Sequence, residues 1–173
     1  MDHLAIMKKS WGFLPMIISG KKTIESRWYV NRSAPWGKIK AGDRVFFKDS
    51  GEPVTVVAAV SKVLQFENLT RRRIREILIE YGKRDGVEKD EIRDYVDFFK
   101  DKKYCILVFL TNVRAVEPFE IDKRGFGAMA AWLTMPHISV VKRSLASGLA
   151  RGLRRDRKKA LTQHTGNITC QRI

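Results

Sequence analysis

Gly20-Lys21-Lys22-Thr23-Ile24-Glu25-Ser26-Arg27 joins a glycine suited to a helix end with the start of an alternating run. Gly20 is the residue expected where a helix ends in a left-handed turn. Upstream of it, Trp11, Leu14, Ile17 and Ile18 recur at helical spacing, which predicts a short helix ending at Ser19. Ser10 stands where a cap belongs, and Pro15 fits the first turn better than the interior. Downstream, residues 23 to 30 alternate as a strand with one buried face, with Ile24 and Ser26 on one side and Thr23, Glu25 and Arg27 on the other. The octet therefore marks a helix-to-strand junction.

The remaining chain adds strands to this junction. His3 to Met7 is a short apolar run that predicts a first strand. Residues 31 to 42 read as a surface loop, with Ala41-Gly42-Asp43 turning into the next strand. Strands are predicted over 44–48 and 53–66, joined by the hairpin signal Asp49-Ser50-Gly51-Glu52. Asn68 or Thr70 can cap a helix over 71–81, with Gly82 as its stop, and a second helix is expected over 89–99. Tyr104 to Leu110 reads as a central strand extended through Phe119, and residues 128 to 135 as the last strand. Residues 144 to 161 could form a basic helix weakened by Gly148 and Gly152. Five to six strands with helices inserted after the first strand and in the middle describe an α+β barrel, mostly antiparallel. No glycine-rich phosphate loop joins a strand to a helix, which excludes Rossmann and P-loop architectures.

The junction also carries the candidate chemistry. Lys22 supplies a point charge suited to phosphate, and Arg27 a planar fork of donors suited to phosphate or a base edge. Glu25 shares a strand face with Arg27, so its carboxylate can orient the guanidinium or accept protons from an exocyclic amine. The alternative is a structural Glu25–Arg27 ion pair beside a solvated Lys22. Trp28, Tyr29 and Trp36 interleave with Arg27, Arg32 and Lys38, a mixture that suits base stacking over a charged track, although each ring alone also suits packing. Arg71-Arg72-Arg73 and Arg75 put basic charge at a helix start, against the helix dipole; both a phosphate contact and a solvated face account for it.

Gly20, Lys22, Glu25 and Arg27, between a helix and a strand, resemble the signature of the ASCH domain, a branch of the PUA-like superfamily. The resemblance extends to Lys40-Ala41-Gly42-Asp43-Arg44-Val45 and Ala131-Trp132, covering roughly residues 3 to 141. It implies a PUA-like barrel with a cleft beside the first helix, in a family associated with RNA binding, coactivator scaffolds and catalysis on nucleosides or RNA. It also implies that Lys48 and Ser50 are candidates for the same cleft, although the residues by themselves read equally as an ordinary exposed hairpin. The expected ligand is RNA or a nucleotide, read by Lys22, Glu25, Arg27, Trp28, Tyr29, Arg32, Trp36, Lys48 and Ser50. A hydrolase acting on RNA or on acetylated cytidine is the alternative, with Lys22 and Glu25 as its catalytic residues. Glu25 replaces the threonine nucleophile of the amidohydrolase pattern, which favours recognition over hydrolysis. A protein-interaction scaffold is a third reading.

Composition sets the remaining limits. At 173 residues, with 44% apolar and 31% charged side chains, the chain suits one folded domain over 1–141 followed by a basic tail over 142–173, partly helical or disordered. The formal charge is +15, and over half of the excess lies in that tail, which carries nine basic residues against Asp156 alone. An acidic protein or RNA is the partner such a tail would take. Two cysteines, Cys105 and Cys170, form neither a disulfide framework nor a ligand cluster, and His3, His137 and His164 are far apart. No metal or cofactor is expected. The N-terminal segment lacks the order of a signal peptide and no apolar run reaches membrane length, so a cytoplasmic location is expected.

Overall fold

A computed structural model describes residues 1–127 and 129–143. The predicted helix over 144–161 lies outside them. Six strands form one curled sheet, in the order β2-β5-β4-β3-β1-β6. They are β1 (Asp2–Met7), β2 (Ile24–Tyr29), β3 (Arg44–Asp49), β4 (Val54–Glu67), β5 (Tyr104–Ile121) and β6 (Trp132–Met135). A two-residue β7 (Lys142–Arg143), not predicted from sequence, pairs with the end of β5. The β1–β3 pair is parallel and every other pair among the described residues is antiparallel.

Curvature comes from the long β4–β5 ladder. Its register shifts between Val54 and Val56, Val57 and Ala59, and Val60 and Lys62. Such irregularities bend and twist a sheet locally, as closure toward a barrel requires. The result is a half-barrel whose two edge strands, β2 and β6, border an open seam.

Strand alternation sorts the side chains into three apolar clusters. Ala5, Met7, Val45, Phe47, Val56, Ala58, Ile106, Val108 and Trp132 fill the barrel interior. Ile24, Cys105, Leu107 and Phe109 face outward on β2 and β5 and are covered by α2 (Arg71–Asp85) and α3 (Ile92–Phe99). Leu4, Phe46, Val57, Phe119, Leu133 and Val141 form a third cluster on the far side of the sheet.

The helices hold two corrections. Ser10 does not cap the first helix: Lys9–Trp11 makes a 3-10 turn, and α1 (Phe13–Ile18) starts after Gly12 in the left-handed region. Gly20, at φ +74°, does end the segment in a left-handed turn. Gly82 does not stop α2; it lies inside the helix, where its carbonyl accepts from the Val87 amide at 2.9 Å. Thr70 caps the start by accepting from the Arg73 amide, and the stop is Gly86 at φ +87°. This four-residue extension places Asp85 in the final turn. The last strand is also shorter than predicted, beginning only at Trp132.

Candidate functional site

The site forms where the edge strand β2 meets the end of α2. Lys22, in the turn before β2, is only 2% exposed. Its ammonium donates to the Asp85 carbonyl at 2.5 Å and to Asp85 Oδ1, and lies 3.5 Å from Glu25 Oε2. The ring of Phe13 sits 4.6 Å below it. A solvated Lys22 is thereby excluded. The Glu25–Arg27 pair is present, at 2.9 Å, as part of a larger charge cluster.

Asp85 is the member that sequence reasoning missed. A carboxylate in the last turn of a helix opposes the dipole, so this position is unfavourable unless something else compensates it. Here the compensation comes from β2. Ser26 donates its amide to Oδ1 at 3.2 Å and its hydroxyl to Oδ2 at 2.5 Å, and Lys22 supplies the countercharge. Burial pushes the Asp85 carboxyl above the usual carboxylate range, Lys22 pulls it down, and the nearby charge of Glu25 raises it further. The signal in the sequence is that misplaced acid, next to the glycine that ends the helix.

Arg27 crosses the seam of the half-barrel. Its guanidinium stands over the ring of Trp132 on β6, 5.1 Å from the centroid. Trp132 is fixed in turn by donating its indole N–H to His3 Nδ1 at 3.2 Å, and His3 Nε2 faces Asp43 at 3.3 Å. Burial lowers the His3 pKa, which keeps Nδ1 free to accept. Arg27 Nε is buried and has no acceptor among the described residues. An orphan donor of this kind costs about 1–3 kcal/mol, and such defects call for an explanation in function or strain.

A cavity of about 600 Å³ opens over this cluster. Trp28 stacks on Phe99 at 4.4 Å with 9° between the rings, and Tyr95 adjoins Phe99. Phe13, Trp28, Tyr29, Tyr95 and Phe99 line the walls, with Trp11 (53% exposed) and Phe98 (66% exposed) at the mouth. Tyr29 donates its hydroxyl to the Ala34 carbonyl at 2.7 Å, and burial pushes its pKa up to about 12. The charged residues of the lining balance: Lys22, Arg27 and Lys102 against Glu25, Asp85 and Asp94.

Of the residues singled out from sequence, the structure brings Lys22, Glu25, Arg27, Trp28 and Tyr29 into this one cavity. The other four stand apart from its lining. Arg32 pairs with Glu67 and lies 5.7 Å from the centroid of Trp36 and 5.2 Å from that of Tyr104. Trp36 itself meets Tyr104 edge-on at 5.2 Å and closes one end of the barrel core. Lys48 shares the outer face of Phe46, because one position of alternation separates it from the interior residue Phe47; it is buried near Glu120 and Lys123, and burial lowers its pKa. Ser50 is exposed in the β3–β4 turn and gives its amide to the Met7 carbonyl. No group of His, Cys, Asp or Glu among the described residues could hold a metal ion. No helix among them is long and apolar enough to cross a membrane.

This curled mixed sheet, with helices packed on one face and an Arg-bridged seam, is an ASCH-like fold of the α+β, PUA-like type. The solved ASCH protein of Zymomonas mobilis is similar in structure, with a TM-score of 0.56 at 16% identity over 83% of this chain and 96% of that one. A single-site variant of the same Zymomonas mobilis protein gives 0.57 at 17% identity, covering 80% of this chain and 93% of the other. No protein-family model and no curated protein matches the sequence.

Proposed function

We propose that the chain recognises a nucleoside unit, free or within RNA, in the cavity beside β2. The observation that carries this reading is the pairing of an aromatic-walled space of about 600 Å³ with a charge-balanced polar floor. Ligand sites are mostly apolar with a few converging polar groups, and base rings stack on aromatic walls. The balance of three cations by three carboxylates disfavours a bare phosphate chain inside the cavity and suits an uncharged base. Glu25 can accept from an exocyclic amine, and Arg27 can donate to a ring carbonyl.

Lys22 serves this site as a fixed charge. An ammonium already donating into Asp85 and held against Glu25 has no lone pair with which to take a proton, so the lysine positions the two carboxylates. The test is calorimetric titration with cytidine, uridine, adenosine, guanosine and acetylated cytidine, at low and at high salt. Saturable binding of at least one nucleoside, insensitive to salt and lost in Arg27→Ala, is the expected result. Absence of binding by every nucleoside, or binding unchanged in Arg27→Ala, overturns it.

Hydrolysis of a modified nucleoside is a second reading, favoured by the 2.5 Å contact between Ser26 Oγ and the buried Asp85. Asp85 would take the hydroxyl proton as Ser26 Oγ attacks an amide carbonyl; the proton then passes to the leaving amine, and water releases the acyl group from Ser26. Product analysis by mass spectrometry decides it, since turnover of acetylated cytidine abolished by Ser26→Ala is required.

A further inference from the structure

A second concave surface lies on the outer side of the two helices. It is a groove of about 730 Å³ between α2 and the segment leading into α3. Arg71, Arg72, Arg75, Lys89 and Arg93 line it, with Asp90 as the only carboxylate among its lining residues. Arg71 and Arg75 stand one helical turn apart and Ile79 one turn further, so the three share a face of α2. Ile79 is 62% exposed there.

The pairing of these cations is uneven. Arg71 meets Asp97, and Arg72 meets Glu76 at 3.0 Å. Arg75, Lys89 and Arg93 have no ion pair or hydrogen bond to another side chain among the described residues. No acidic residue occupies the first turn of α2, where the dipole would favour one. Like charges at i and i+4 also repel each other. An anion lying along the groove relieves both penalties together.

The shape and residue types narrow the anion. Four of the five cations are arginines, whose planar forks match phosphate oxygens two at a time. No aromatic ring lines the groove, so it offers contacts to a backbone and none to stacked bases. α3 separates this groove from the cavity, presenting Arg93 and Val96 to one and Tyr95, Phe98 and Phe99 to the other. We propose that the α2–α3 groove binds the phosphodiester backbone of single-stranded RNA. The choice of RNA over other polyanions rests on the nucleoside reading of the cavity; the groove itself rests on its own unpaired cations.

The experiment measures fluorescence anisotropy of a labelled single-stranded RNA 20-mer against the full chain over a range of salt. It compares wild type with Arg75→Glu/Arg93→Glu and with the control Lys40→Glu/Arg114→Glu, which changes net charge equally on exposed residues elsewhere. Loss of two phosphate contacts lowers the salt slope by about 1.4. The groove variant should bind at least about tenfold more weakly, with its thermal melt and nucleoside affinity unchanged, while the control stays near wild type. An unchanged affinity and slope in the groove variant overturns the proposal, as does equal weakening in the control. Binding of a poly-glutamate 20-mer as tight as RNA, with the same dependence on Arg75 and Arg93, also overturns it. Because nucleoside affinity is read separately on the same variants, failure of the cavity reading leaves the groove result interpretable.

Discussion

Lys22→Met removes the cation that Asp85 and Glu25 share while keeping a side chain of similar length. Glu25 retains Arg27, but Asp85 loses its sole ion-pair partner among the described residues. Breaking a buried pair by removing one member costs about 3–5 kcal/mol. At about 2–4 °C per kcal/mol for a chain of this size, Tm falls by roughly 6–20 °C near neutral pH. The pH dependence follows from the direction of the Asp85 shift. Its pKa is already raised by burial above 3.8, and loss of Lys22 raises it further. A carboxyl whose folded pKa is raised contributes stability that is fully present below its unfolded pKa and is lost as pH rises through the folded one. The gap between wild type and Lys22→Met should therefore be small near pH 4 and widen as pH increases. Melts followed by circular dichroism from pH 4 to 8 measure it, with Lys22→Met/Asp85→Asn alongside, which removes the stranded charge and should regain most of the loss. A buried Lys22–Asp85 pair is ruled out as a stabilising contact if the single variant melts within about 2 °C of wild type at pH 7.5, if the gap does not grow with pH, or if the double variant regains nothing.

Three further predictions concern the frame of the site. Gly86→Ala places a Cβ in the left-handed region, 3.2 Å from Met16 Cε and 3.5 Å from Phe13 Cε1, so a cost of about 1–2 kcal/mol is expected in urea unfolding. Thr70→Ala deletes the cap on the Arg73 amide and should cost about 1 kcal/mol in the same assay, without changing ligand affinity. Cys105 is fully buried and burial raises its pKa well above the ordinary thiol value, so in a Cys170→Ser background it should resist a water-soluble disulfide reagent at pH 8 and react completely in urea.

The octet was legible because it is local. A helix stop, a turn and an alternating strand are all written within eight residues, and the faces assigned to Ile24, Ser26, Glu25 and Arg27 follow from a period of two. Asp85 was not legible as a partner, since 59 residues separate it from Ser26 and the link exists only because α2 runs past Gly82. That extension ends at Gly86, whose left-handed turn brings the Val87 amide back to the Gly82 carbonyl, and the local pattern offers both glycines as a stop without choosing between them. Lys48 shows the complementary error. Its family placement near the cleft was a matter of strand proximity, whereas its own alternation against Phe47 turns it to the opposite face of β3. The Trp132 link to Arg27 depends on closure of the sheet around residues 105 positions apart, which no local pattern encodes.

Net charge alone points the whole molecule at a polyanion, whereas the two proposed sites differ in how their charges are arranged. The cavity lining matches its three cations with three carboxylates, with Lys22 and Arg27 paired to Asp85 and Glu25, while the α2–α3 groove leaves three of its five cations without side-chain partners among the described residues. Exposed, unpaired charge acts through counterion release and fades with salt, whereas a buried, balanced site with aromatic walls depends on fit and changes little with it. Salt therefore separates the two proposed roles within one protein. RNA attraction should weaken steeply between low and high salt, and nucleoside affinity in the cavity should hold across the same range. If nucleoside binding instead fell in parallel with RNA binding, the charge cluster of Lys22, Glu25, Arg27 and Asp85 would be acting as an open electrostatic surface, and its burial would lose its meaning for recognition.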